Sequence, residues 1–263
     1  MTSPFFLYCL VLSLGASALA KPNGANATKS LKIIDGTEVV PHSRPYVVAI
    51  RTTINDIEVL CSGAIISDYL VITAATCLNG ASEAEVILGA HNITNGAETG
   101  REVIKANQFI IHEKFDTVKL LDNIALIQLP KKISFNANIQ SVKLPDVTDI
   151  IDAYIEKEAT ALGWGRTSDT TQDTSDVLRY QNLTIIPVLM CELSYALNIR
   201  PTQICTTGVE RKGICRGDAG APLVLDGVLI GIGSYGSTLG CSIGFPSVFT
   251  KISSYLSWLM LSN

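Results

Sequence analysis

Apolar positions along this chain fall into short runs broken by turn residues. The runs are Tyr46–Thr52, Glu58–Ile66, Leu70–Ala74, Ala84–Leu88, Ile124–Leu129, Ala159–Trp164, Leu183–Pro187, Pro222–Leu225 and Val228–Tyr235. Each is rich in β-branched residues and too short for a typical helix, so the pattern predicts strands and an all-β barrel or sandwich. The end of the chain differs. Ile252, Leu256, Leu259 and Met260 recur at helical spacing, which predicts a short amphipathic helix over about 252–261. No internal repeat or low-complexity tract interrupts the series, and Asp146–Ala159 reads as the connection between two halves.

The start of the chain carries a different signal. Residues 1–20 hold an apolar core from Phe5 to Leu14 and small residues at Ala18 and Ala20, as expected of a cleaved secretory leader. Residues 21–32 are polar, small and free of acids, and read as an unstructured leading segment. Of seven cysteines, Cys9 would leave with the leader. The six that remain in an exported chain argue for three disulfides, with connectivity open. No close Cys/His cluster suggests a metal.

Charge narrows the partners. Removing residues 1–32 takes three lysines and no acids, moving the net charge from −4 to −7. An acidic product with scattered charge argues against nucleic acid and anionic membranes as partners. Sequons at Asn26, Asn92 and Asn182 are candidate glycan sites in a secreted, extracellular protein.

The chemistry concentrates in Cys215-Arg216-Gly217-Asp218-Ala219-Gly220-Ala221-Pro222. This run resembles the C-x-G-D-S-G-G-P nucleophile loop of chymotrypsin-like (S1) serine proteases, with Ala219 at the nucleophile's position. Cys61-Ser62-Gly63-Ala64 resembles the family's C-G-G-S, Thr73-Ala74-Ala75-Thr76-Cys77 its T-A-A-H-C, and Thr160–Gly165 its V-x-G-W-G strand. Ser234-Tyr235-Gly236 is similar to the S-W-G substrate strand, and Phe245–Phe249 to x-P-G-V-Y. The resemblance runs over the chain after Lys32, and Leu88-Gly89-Ala90-His91 with the Ile-Asp-Gly start looks closest to insect chymotrypsins and collagenases.

The resemblance implies two Greek-key six-stranded β-barrels, about 33–146 and 147–250, with the C-terminal helix packed on them. It implies the disulfides Cys61–Cys77, Cys191–Cys205 and Cys215–Cys241, and no cofactor. It further implies activation by a trypsin-like protease cutting after Lys32, so that the new amino group of Ile33 pairs with Asp218. Gly217 and Ala219 would present an oxyanion hole through backbone N–H groups. Gly213, Gly236 and Ser247 fall at the specificity pocket. Gly213 brings no carboxylate for a basic side chain, and Ser247 is expected to narrow the pocket.

Carried onto the catalytic triad, the pattern places Thr76 at the base, Asn123 at the orienting acid and Ala219 at the nucleophile. A methyl group has nothing to attack with, a threonine hydroxyl takes up no proton near neutral pH, and a carboxamide carries no charge. His42, His91 and His112 match no triad position, and Asp122 lies one residue from the expected acid on a stretch where that offset changes face. The reading is a monomeric, inactive serine protease homologue. It would bind a protein or peptide, such as a protease inhibitor, a protease substrate or a host-defence protein. The alternatives are an active endopeptidase and a functionless paralogue.

Overall fold

The computed structural model describes residues 36–146, 154–195 and 199–262. The leader, the segment 21–32, Asn26, the Lys32–Ile33 junction and the middle of the inter-half connection lie outside the described residues.

Strands form on all nine predicted runs, and also at Glu102–Ala106, Gln108–Ile111 and Gln203–Thr206, where no run predicted them. The first sheet holds β2 (Val47–Ile54), β3 (Ile57–Ile65), β4 (Leu70–Thr73), β5 (Ala84–Leu88), β6 (Glu102–Ala106), β7 (Gln108–Ile111) and β8 (Ala125–Gln128). Its order is β6-β5-β2-β3-β4-β8-β7. Asn107 alone separates β6 from β7, so the chain itself joins the two ends of this order and closes a barrel. Counted as one bent strand, they make the barrel six-stranded. The second contains β9 (Glu158–Gly163), β10 (Arg179–Ile186), β11 (Gln203–Thr206), β12 (Pro222–Leu225), β13 (Val228–Tyr235) and β14 (Ser247–Lys251), and β9 pairs back onto β10 to close it. In each barrel the fourth strand in a set of four returns beside the first, as β5-β2-β3-β4 and β12-β9-β10-β11, which is the Greek-key arrangement.

Some elements were not visible in the hydrophobic pattern. β1 (Thr37–Glu38) sits in the stretch expected to belong to the first half, yet pairs with Tyr180 and Arg179 of β10. β14 is buried along its whole length, but Ser247, Thr250 and Lys251 mask it as a polar stretch. The helix α1 (Val188–Ser194) exposes Leu189, Met190 and Leu193, so it carries no inward apolar stripe. At the C-terminus a 3₁₀ turn over Ile252–Tyr255 leads into α2 (Leu256–Leu261). Ile252 and Leu259 are buried as expected, whereas Met260 is exposed.

Each barrel has its own core, the first around Val48, Ile50, Val86 and Ile127, the second around Leu183, Leu223, Ile230 and Phe249. A third cluster joins them, with Val47, Ile72 and Leu126 of one barrel against Trp164, Leu229 and Tyr255 of the other. Trp164 is fully buried there, and its indole N–H donates to the carbonyl of His91 at 3.0 Å. The bonds Cys61–Cys77, Cys191–Cys205 and Cys215–Cys241 join the cysteines in the pairs that the resemblance implies. The first ties β3 to the turn after β4, the second ties α1 to β11, and the third ties the loop before β12 to the loop after β13. Each closes a loop worth roughly 3 kcal/mol of lost unfolded-state freedom. No helix among the described residues is long and apolar enough to cross a membrane.

Candidate functional site

The loop Cys215–Pro222 is shaped by its backbone. Gly217 and Gly220 take φ of +97° and +76°, in the left-handed region that suits glycine. Asp218 N–H donates to Cys215 O at 3.0 Å, Gly220 N–H to Gly233 O at 2.8 Å and Ala221 N–H to Asp218 O at 2.9 Å. These bonds leave out the N–H groups of Gly217 and Ala219. Across the barrel interface Ser62 N–H donates to Ala219 O at 2.8 Å, fixing the loop against β3. A Cβ on Gly220 would collide with the Ser62 carbonyl and the Thr73 hydroxyl.

Asp218 turns inward. Its carboxylate accepts the N–H of Gly165 at 2.8 Å and of Cys215 at 2.9 Å. Burial pushes its carboxyl up to about 6, against the pull of those two donors. A side chain on Gly163 or Gly165 would strike that carboxylate, so the L-G-W-G strand needs its glycines here.

The first barrel contributes a corner built on Asn123, which is almost fully buried. Its Oδ1 accepts Thr76 N–H at 3.0 Å, and its Nδ2 donates to Ser234 Oγ at 2.9 Å. Thr250 Oγ1 donates to its carbonyl at 2.9 Å. One carboxamide therefore links the turn after β4 to β13 of the other barrel. The Thr76 hydroxyl is buried without a hydrogen-bond partner. Asp122 does not enter the corner. It adopts φ +50°, and its carboxylate accepts the hydroxyl of Tyr255 at 2.7 Å.

Ala219 and Ser234 meet on the wall of one cavity of about 470 Å³. Ile214, Tyr235, Gly236 and the Cys215–Cys241 disulfide also line it, with Arg166 and Arg216 at its wall. Gly236 thus stands in the open pocket, but Gly213 and Ser247 do not line it. They lie against each other and against Ile214, which does line it: Ser247 Oγ accepts Ile214 N–H at 3.1 Å, and a Cβ on Gly213 would come within 2.7 Å of that oxygen.

No histidine lines this cavity. His91 Nε2 lies 3.0 Å from Glu38, His42 Nε2 lies 3.7 Å from Glu98, and His112 packs edge-on against Tyr255. Among the described residues the grouping closest to a metal-ligand set is Asp169, Cys215 and Cys241, and both sulfurs are consumed in a disulfide.

This arrangement of barrels, loop and corner has counterparts among known proteins. The family described as Trypsin matches residues 33–259. The chain belongs to the trypsin family. Chymotrypsin of Phaedon cochleariae is 38% identical over 237 residues, covering 90% of this chain and 84% of the relative. Brachyurin of Leptuca pugilator is 35% identical over 227 residues, covering 86% and 96%. The solved structure of HL collagenase superposes with a TM-score of 0.77 at 28% identity, over 87% of this chain and 97% of that one.

For a trypsin-family chain, two features of this site had no signal in sequence. Ser234 becomes the partner of Asn123 only when the barrels pack, and Arg166 reaches the loop only because its N–H donates to Arg216 O at 2.8 Å. The two described sequons lie at the surface of different elements. Asn92 Oδ1 accepts the N–H and hydroxyl of Thr94, and Asn182 lies exposed on β10 beside Thr160.

Proposed function

We propose that this chain is a secreted trypsin-family homologue that binds a peptide or protein segment in its cleft without cleaving it. The observation that carries this reading is the occupancy of the corner and the adjoining wall. Thr76, Asn123 and Ala219 stand at the positions that the family pattern assigns to base, acid and nucleophile. Asn123 bridges Thr76 and Ser234 as a neutral group, while a methyl sits on the cavity wall. With no imidazole there, the site has no group to accept a proton and none to attack a carbonyl. Loss of such a unit forfeits roughly a millionfold in rate, and the losses do not add. The N–H groups of Gly217 and Ala219 remain unused by the loop, which supports holding a carbonyl oxygen.

In this reading another protease cuts after Lys32, and the Ile33 amino group then neutralises Asp218. N-terminal sequencing of secreted material should begin at Ile33, and a start at Lys21 alone would show that the junction is vestigial. The names of the relatives favour the alternative, an active endopeptidase. The two are separated by assaying the unmodified chain, cut after Lys32, beside Thr76→His/Asn123→Asp/Ala219→Ser. Turnover confined to the triple variant is the expected result. Turnover by the unmodified chain above a mock preparation would overturn the proposal.

A further inference from the structure

The wall of the cleft carries two guanidinium groups whose role the binding site's shape does not explain. Arg166 and Arg216 are joined through their backbones, Arg166 N–H donating to Arg216 O at 2.8 Å. Both line the 470 Å³ cavity, and both also line a neighbouring cavity of about 730 Å³. With Gln172 and Gly217 they form the lining that the two cavities share. Neither is in an ion pair among the described residues. A peptide anion seated where the two cavities meet would be attracted by both charges.

The acids nearby are disposed otherwise. Asp169 lines the smaller cavity, but its carboxylate accepts the N–H of Cys241 at 2.6 Å, the N–H of Ser242 at 3.0 Å and the Ser242 hydroxyl. Those donors hold its carboxyl below the usual range and spend its acceptor sites. Glu58, Asp173 and Asp176 line the larger cavity with Arg51, so that cavity carries both signs of charge. The smaller cavity also offers Ile214, Tyr235 and a disulfide.

We propose that the cleft selects a peptide whose apolar side chain enters the smaller cavity and whose neighbouring residue is acidic. The carboxylate of that neighbour bridges Arg166 and Arg216. This rests on the binding reading above and names its ligand class.

The test is fluorescence anisotropy of the mature chain with three labelled hexapeptides, Gly-Ala-Leu-Glu-Ala-Gly and its Gln and Lys counterparts at the fourth residue. The Glu peptide should bind roughly tenfold tighter than Gln, and Lys weaker than either. The preference should shrink at high salt. Arg166→Gln/Arg216→Gln should equalise Glu and Gln, and Arg216→Lys should keep part of the preference. Equal binding of Glu and Gln by the unmodified chain overturns the acidic ligand and leaves the binding reading standing. Cleavage of the peptides overturns the binding reading, and the acid preference is then judged from the Glu-to-Gln ratio of cleavage rates. Binding of none overturns both. Inorganic sulfate abolishing the Glu preference at concentrations that leave Gln binding intact would support the arginine pair as the source.

Discussion

The two sides of the cleft hold their shape by different means. On the second barrel the loop Cys215–Pro222 is set by left-handed glycines, backbone hydrogen bonds and close backbone approach to β3. On the first barrel the corner is set by one side chain, the Asn123 carboxamide, reaching Thr76 and Ser234. Neither device depends on an alcohol at position 219 or an imidazole at position 76. A framework made of backbone contacts and a neutral amide therefore surrounds Ala219 and Thr76 without a hydrogen bond from either side chain. Geometry and reactivity are separable here because different atoms supply them.

The contrast can be broken most forcefully at Gly220. Alanine there would combine a positive φ with a collision against Ser62 O, so Gly220→Ala should cost about 4 kcal/mol or more. Denaturant unfolding or loss of secreted protein would register it. Stability within about 1 kcal/mol of the parent would show that the loop is not fixed by its backbone.

Asp218 gives the next largest effect. In the uncleaved chain its folded carboxyl titrates at about 6, above its ordinary value of 3.8. The neutral form is favoured by the fold, so this group's stabilisation is full below about pH 4. It is lost as pH rises through about 6, by on the order of 3 kcal/mol. Asp218→Asn should flatten that slope in unfolding measurements between those pH values. Cleavage after Lys32 should reverse the slope if the Ile33 amine reaches the carboxylate. An unchanged slope in the variant would remove Asp218 as its source.

The corner should yield the smallest loss. Asn123→Ala frees Thr76 N–H and Ser234 Oγ and should cost about 1–3 kcal/mol, with the loop on the other side unmoved. Amide hydrogen exchange resolves the two sides. Faster exchange in 215–222 as well as near Thr76 would mean that the corner and the loop open as one unit.

Much of this was readable from the chain. β5, β12 and β13 fall on their apolar runs end to end, because alternation or continuous burial suits strands buried on one or both faces. β14 was hidden because its polar side chains are buried with partners that only packing supplies: Ser247 with Ile214, Thr250 with Asn123, Lys251 with the carbonyl of Pro201. β10 starts at Arg179, before its apolar run, for a similar reason. Arg179 is buried and donates to Ser175. Ala219, Ser234 and Gly236 at the cleft were named through motif spacing, but Gly213 and Ser247 look alike as pocket residues in sequence, and the structure leaves both out of the cavity's lining and sets them against each other.

By itself the sequence determined which groups are present: an alanine at 219, a threonine at 76 and an asparagine at 123, six cysteines after residue 60, and glycines where the loop must turn. Those are properties of side chains and of φ preference, which travel with the residue. The tertiary structure decided which groups meet. It paired Asn123 with Ser234 across 111 residues, sent Asp122 to Tyr255 instead, and set two arginines on one wall. Such neighbours are fixed by barrel closure and the packing of one barrel on the other, and no local pattern in the chain encodes them.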